Sequence, residues 1–291
     1  MQYDAFYQKI QEMLEDIYMK AGNMQLEQKD FFRETDARLE ENSAFIAEQT
    51  ADWTADDWKN LFYCYIKHGN LEVDKFVAQK LAETCGPEFL RSCIRDHIIL
   101  LENDVYSTGD KEALYGSDVL LTAVKLLNRL QEGGADQEIL EAFSACAAIN
   151  EHILYELAEY LCRECANHVR SLILDETLDD DKLIALISMF VSQERRDDET
   201  FKAMKQRFKH MPDDHEVKSV FAAVFGDYGE PNAILPLRRY MKSLIETYQK
   251  EKDQEIFSKI MMVSSVSSTE LDFLTGYVVN IRLGLNVWDY S

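Results

Sequence analysis

The stretch "VKSVFAAVFGDYGEPNAILPLRRYM" (Val217–Met241) decides how the chain is read. Apolar residues recur at three- and four-residue steps through Val217, Val220, Phe221, Val224 and Phe225, the period of a helix with one buried face. Two glycines follow, Gly226 and Gly229, then Pro231, then a second periodic run through Ile234, Leu237, Met241 and Leu244. The spacing predicts a helix over 214–225 capped by Asp214 and ended by a left-handed Gly226. Gly229 then turns the chain and Pro231 opens the next helix, over 231–250. Two helices joined so tightly form an antiparallel hairpin, the unit from which α-solenoids are stacked.

A shift of 34 residues pairs Leu183, Leu186, Ile187, Phe190 and Val191 with Val217, Val220, Phe221, Val224 and Phe225. This predicts an earlier second helix at 179–191, and a later one about 39 residues on carries Ile256, Ile260 and Val263. The turn "GEPNAILPL" (Gly229–Leu237) resembles the "G-x-P-x-A-I-x-x-L" turn of HEAT repeats, in particular those of the phycobilisome-lyase-like group. The resemblance covers 214–245 closely and 178–265 loosely. It implies an all-α superhelix of antiparallel helix pairs, with HEAT-like repeats over 111–291 and an N-terminal helical region over 1–110.

The rest of the chain agrees with an all-α reading. Four prolines and eleven glycines punctuate 291 residues, 46% of them apolar and 29% charged. That is the composition of a folded helical protein. Helices are expected at 3–20 (Phe6, Ile10, Met13, Leu14, Ile17) and 28–49 (Phe31, Phe32, Leu39, Ile46). A third begins after Thr54, whose partner Asp57 completes an N-terminal box, and stops at Gly69. Asn70 is read as the cap of a helix over 71–84, and Pro87 starts another. "ENDVYSTGDKEALYGSD" (Glu102–Asp118) reads as a long loop. Helices at 118–131, 136–147, 149–174, 179–192, 198–210, 253–264 and 268–280 complete the set.

No signal peptide or membrane span is legible, so the cytosol is the expected compartment. Cys64, Cys85, Cys93, Cys146, Cys162 and Cys165 lie in or beside apolar helical stretches and read as free thiols. Net charge is −22, unevenly spread: residues 1–200 hold 41 acids and 19 bases, residues 201–291 twelve of each. Such a chain repels nucleic acid and anionic membranes and attracts a basic protein.

The common phosphate-loop, nucleophile-elbow and zinc-protease motifs are absent from the sequence. His215-Glu216 invites comparison with the His-Glu dipeptides of deoxyhypusine hydroxylase, a HEAT-like di-iron enzyme. Here the dipeptide lies one turn too early and has no second copy. "CRECANH" (Cys162, Cys165, His168) suggests zinc, but a continuous helix does not converge these side chains, and Cys165 falls in the core stripe. "DETLDDDKL" (Asp175–Leu183) lacks the glycine and distal glutamate of a calcium loop and reads as an acidic first turn. No cofactor or metal is expected.

Two sets of residues are candidates for binding. The acidic, aromatic segment at the third helix offers Trp53, Asp56, Asp57 and Trp58. A basic set, Lys202, Lys205 and Lys209 on one helix and Arg238, Arg239 and Lys242 on another, would share one outer face if the two helices stack. The expected role is a non-catalytic scaffold or adaptor binding another protein. The alternatives are an acidic inhibitor or immunity-type protein neutralising a basic partner, an enzyme without a recognisable motif, and a HEAT-like DNA glycosylase, for which only residues 201–242 offer a basic surface.

Overall fold

The computed structural model describes residues 3–23, 28–107, 109–131, 133–193 and 197–264, without the side chains of residues 17, 18, 20–23, 28–36, 38 and 231. The expected helix at 268–280 and the side chains of Ile17, Phe31 and Phe32 lie outside this description. The described residues form fourteen α-helices and two short 3-10 turns, with no strand among them. None of these helices is long and apolar enough to cross a membrane. The chain divides into two compact units, residues 1–156 and 157–291.

The first unit begins with α1 (Tyr3–Asn23) and α2 (Gln28–Gln49), which pack on each other. α3 (Ala55–Lys67) starts where Thr54 accepts from the Asp57 amide while Asp57 accepts from the Thr54 amide, a reciprocal box that satisfies two orphan donors. α4 (Lys75–Cys85) starts later than the Asn70 reading placed it. Asp74 caps it through the amides of Phe76 and Val77, and Asn70 instead accepts from Glu72 in the loop. α5 (Pro87–Arg95) opens on Pro87 as expected, and a 3-10 turn (Ile98–Glu102) follows.

α6 (Lys111–Leu130) contains half of the segment read as a loop. Asp110 caps it, and Gly116 inside it lets the helix lie directly on the 3-10 turn. A Cβ there would meet Leu100 Cδ1 at 2.5 Å and His97 Cδ2 at 2.7 Å. The misreading came from Gly109, Gly116 and Ser117, which look like loop residues in sequence. Gly116 and Ser117 are buried because close helix packing requires small side chains at that place. α7 (Asp136–Ala145) completes this part, packing on α5 and the 3-10 turn.

The expected helix over 149–174 is two helices, α8 (Glu151–Glu164) and α9 (Ala166–Leu174). They are separated at Cys165, which leaves the helical region with φ −121° and ψ 44°. In the second unit α10 (Asp180–Ser192), α11 (Asp198–His210), α12 (Lys218–Asp227), α13 (Ile234–Glu251) and α14 (Gln254–Ser264) follow. Packing alternates: α9 touches α11 and α11 touches α13, while α10 touches α12 and α12 touches α14. Each helix therefore meets its next-but-one neighbour, and consecutive helices close the pairs. This arrangement is compatible with a helical-repeat solenoid.

The opening hairpin exists with a different register. α12 starts at Lys218, four residues after Asp214, and carries no side-chain cap. Gly226 is helical and buried; the left-handed glycine is Gly229, with φ 68°. Pro231 begins a 3-10 turn that leads into α13. Buried positions in α10 are Leu183, Ala185, Leu186, Ile187 and Phe190, and in α12 they are Lys218, Ser219, Phe221, Ala222, Phe225 and Gly226. Four of the buried positions correspond at a shift of 35 (183 to 218, 186 to 221, 187 to 222, 190 to 225), one more than the sequence pattern suggested. Val217, Val220 and Val224 are only half-buried. The run of apolar residues all round α12 hid which side faces the core, and it hid that the lysine at its start is buried.

Aromatic rings form the spine of this unit. Tyr228 stacks on Phe190 and Phe201, Phe201 on Phe225, and Phe208 on Phe221, with ring centroids 5.2–5.6 Å apart. Tyr240 meets Phe208 edge-on at 5.7 Å and ends the row.

Candidate functional site

The aromatic row ends at a cavity of about 370 Å³ between α11, α12 and α13, lined by Phe208, Lys209, Asp213, Lys218, Pro236, Arg239 and Tyr240. Helix α11 supplies Phe208 and Lys209 from its last turn. The short connection to α12 supplies Asp213. Helix α13 supplies Pro236 from its first turn, where a missing amide costs nothing, and Arg239 and Tyr240 one turn on.

Lys218 forms the inner wall. Its side chain is 5% exposed, and an ammonium so placed loses hydration worth several kcal/mol unless it is repaid by partners. Its Nζ donates to the Met211 carbonyl and, at 2.7 Å, to Asp213 Oδ1. The rings of Phe208 and Tyr240 lie 5.0 and 5.1 Å from it, close enough for cation–π attraction. Burial pushes the Asp213 carboxyl up, but hydrogen bonds from Lys218 and Ser243 and the Lys218 charge outweigh it, and the net shift is downward. Burial raises the Tyr240 phenol to about 12 despite its 2.8 Å hydrogen bond with the Ser219 hydroxyl. Tyr240 is therefore a neutral ring and a hydrogen-bonding hydroxyl at ordinary pH.

The structure brings two of the basic candidates, Lys209 and Arg239, to the mouth of this cavity. Both side chains are exposed, and among the described residues neither has an ion pair or hydrogen bond. The others sit differently. Lys202 is paired with Glu199 at 2.6 Å, Lys205 lies over the Phe201 ring at 5.9 Å, and Lys242 is 3.8 Å from Glu246. Arg238 is exposed on α13 beside Arg239. Asp213, Lys218 and Tyr240 escaped the sequence reading. No sequence signal marked Lys218, since a lysine within an apolar run reads as facing water.

Of the acidic, aromatic candidates of the first unit, Trp58 packs in the core, Trp53 packs while half-exposed, and Asp57 caps α3. Trp58 is 3% exposed and meets Trp53 at 5.1 Å, and Trp53 lies 4.9 Å from Phe6. Asp57 accepts from the Thr54 hydroxyl, the Tyr3 hydroxyl and the Thr54 amide, and these bonds lower its carboxyl to about 2. Asp56 is exposed and pairs with Lys59 at 3.3 Å.

A second surface appears in the first unit. The buried Asn150 side chain donates to the carbonyls of Leu101 (3.1 Å) and Asn103 (2.8 Å) and accepts from the Val105 amide (3.3 Å). Ala147 donates its amide to Leu101 as well. These bonds tie 146–150 to 101–105, and three large apolar side chains next to these segments in sequence are exposed: Ile99 (65%), Tyr106 (43%) and Ile149 (61%). The sequence around them is acidic: residues 98–118 hold Glu102, Asp104, Asp110, Glu112 and Asp118 against one base, Lys111. The Asp118 carboxyl is raised by burial, and burial, then the charge of Asp118, raises the Tyr106 phenol. These apolar residues were unmarked in sequence because a lone isoleucine beside a loop looks the same whether it points in or out.

The thiols are free and, except for half-covered Cys85, buried. Cys162 lies 3.3 Å from the Leu186 carbonyl, His168 is exposed, and Cys165 sits in the break between α8 and α9. Among the described residues no group of three or more His, Cys, Asp or Glu side chains is placed to hold a metal ion. His215 lies in the connection before α12, 3.8 Å from Asp180.

Comparison of the chain with protein-family models, with curated proteins and with solved structures finds no match in any of the three.

Proposed function

We propose that the chain is a HEAT-like helical-repeat scaffold of the cytosol that binds another protein and catalyses no reaction itself. The observation that carries this reading is the surface pinned by Asn150. Three large apolar side chains are exposed beside the loops that Asn150 joins, in an acidic stretch of an acidic chain. Exposed apolar patches rimmed by polar residues mark protein-binding surfaces, and tyrosine is enriched among hot spots. The occupant that fits is a basic protein segment with apolar side chains, because its charge would be drawn to Glu102, Asp104 and Asp118 while its apolar residues cover Ile99, Tyr106 and Ile149. Alternate packing of α9 to α14 supports the repeat reading. The same acidic surround supports the narrower alternative, a protein that neutralises a basic partner.

The test is affinity capture of the partner from the native host, followed by binding of the two purified proteins. Ile99→Glu and Ile149→Glu lie on the surface and leave the fold intact. Each is expected to weaken the purified complex at least tenfold, and binding is expected to fall steeply with salt, mainly through association rate. A partner that binds both variants as well as the native chain would remove this surface from consideration. Turnover of a substrate by the pure chain would overturn the non-catalytic reading.

A further inference from the structure

Position 218 belongs to the core of a repeat. At a shift of 35 its counterpart in α10 is Leu183, which is fully buried, and Lys218 is itself only 4% exposed. A leucine at 218 would satisfy packing alone; a lysine is rarely buried so far, and departures of that kind collect at functional sites. The lysine is not enclosed on all sides. It forms the wall of a cavity whose mouth carries two further cations, Lys209 and Arg239.

The pairing pattern sharpens the point. Lys202 and Lys242, on the same two helices, have carboxylate neighbours within 4 Å. Lys209 and Arg239 have no such neighbour among the described residues. With Lys218 and the single anion Asp213, the cavity lining carries three positive groups and one negative. This occurs in a chain of net charge −22. A general excess of base does not explain it.

We infer that this cavity is a binding site for a carboxylate attached to a flat apolar body. Three features select that class. The Arg239 guanidinium offers the planar fork that matches a carboxylate, with Lys209 beside it. Phe208, Tyr240 and Pro236 supply an apolar wall, and the neutral Tyr240 phenol adds no charge to it. Asp213, half exposed and held ionised, repels a second negative charge and so disfavours phosphate and polyanions. A volume of about 370 Å³ suits a small ligand or one terminal residue of a peptide. Lys218 acts from below: already bonded to Asp213 and Met211, it sets a positive potential without having to move. The inference does not depend on the surface around Asn150, which lies in the other unit.

The experiment uses the full chain and follows isotope-labelled protein by NMR while probes are added to millimolar concentration. The probes are 3-phenylpropionate, its neutral amide, inorganic phosphate, and a short peptide ending in phenylalanine with its carboxylate free or amidated. The expected result is saturable shifts at residues of α11–α13 with 3-phenylpropionate, at least tenfold weaker binding to Arg239→Gln and to Lys209→Gln, and none with the amides or phosphate. Both substitutions are on the surface, so loss of the fold cannot imitate loss of binding. Lys218→Met is expected to stay folded and bind weakly. A free-carboxylate peptide that outcompetes 3-phenylpropionate assigns the ligand to a protein C-terminus; the reverse order assigns it to a small aromatic acid. Absence of saturable shifts with either carboxylate probe, equal binding to the Arg239→Gln, Lys209→Gln double variant, or binding of phosphate in preference to both would overturn the assignment.

Discussion

Lys218 Nζ and Asp213 Oδ1 lie 2.7 Å apart, with the lysine side chain 5% exposed and the aspartate 53% exposed. The pair is unequal: water can replace the lysine around Asp213, but little can replace Asp213 around the lysine. Asp213→Ala is therefore expected to destabilise the fold by about 1–3 kcal/mol, the cost of an under-satisfied buried polar group. Lys218→Met, which puts an apolar side chain at a buried position, is expected to be neutral or stabilising, as when buried ion pairs give way to apolar side chains. Denaturant unfolding of the two variants measures the asymmetry. Equal losses would mean that the pair contributes net stability.

Asn150 uses its whole amide to join two loops. Asn150→Ala takes the donor from the Asn103 carbonyl and removes one bond each from the Val105 amide and the Leu101 carbonyl, which keeps the Ala147 amide, with an expected cost of about 1–3 kcal/mol. Asn150→Asp should cost more, since a carboxylate would face the carbonyls of Leu101 and Asn103. The loss should appear in thermal unfolding together with faster amide exchange at Val105.

Gly116 permits α6 to touch the 3-10 turn. Gly116→Ala forces Leu100 and His97 to give way by several tenths of an ångström and is expected to cost about 1–3 kcal/mol, although alanine is the better helix former. A variant as stable as the native chain would mean that the turn yields freely.

The Thr54–Asp57 box sets a pH dependence. Hydrogen bonds depress the Asp57 carboxyl to about 2, below its ordinary value near 3.8. A group depressed on folding stabilises the fold above its unfolded pKa, and that contribution fades as pH falls from about 4 through about 2. The start of α3 should loosen over that window, visible as amide exchange at Asp57 and Trp58. Thr54→Ala should cost about 1 kcal/mol at neutral pH. Charge reversal at Asp57 would break the cap, so Asp56 is the better site for probing the acidic surface.

Helical class, most helix positions and the pairing of α11 with α13 were legible from periodicity and caps, because amphipathic spacing and capping chemistry are local. What was lost was decided by packing between helices. Gly116 and Ser117 resemble loop residues until a second element presses on them. Cys165 interrupts a pattern that reads as continuous. In α12 apolar residues occur on every side, so the sequence could not tell that Phe221, Ala222 and Phe225 face inward while Val220 and Val224 do not. Of the cavity, the rim cations Lys209 and Arg239 could be picked out in advance. Lys218 could not, since a lysine within an apolar run is assumed to face water.

The covered thiols give the chain built-in reporters of its own breathing. Burial raises Cys93 to about 12 and pushes Cys162 up as well, so neither reacts as a thiolate while the fold is closed. One lies in the first unit and the other in the second. Alkylation timed at each, with mass spectrometry to separate the sites, would read the opening frequency of each half without any introduced label. Matching rates would mean that the two halves open as one, and unequal rates would give each its own lifetime.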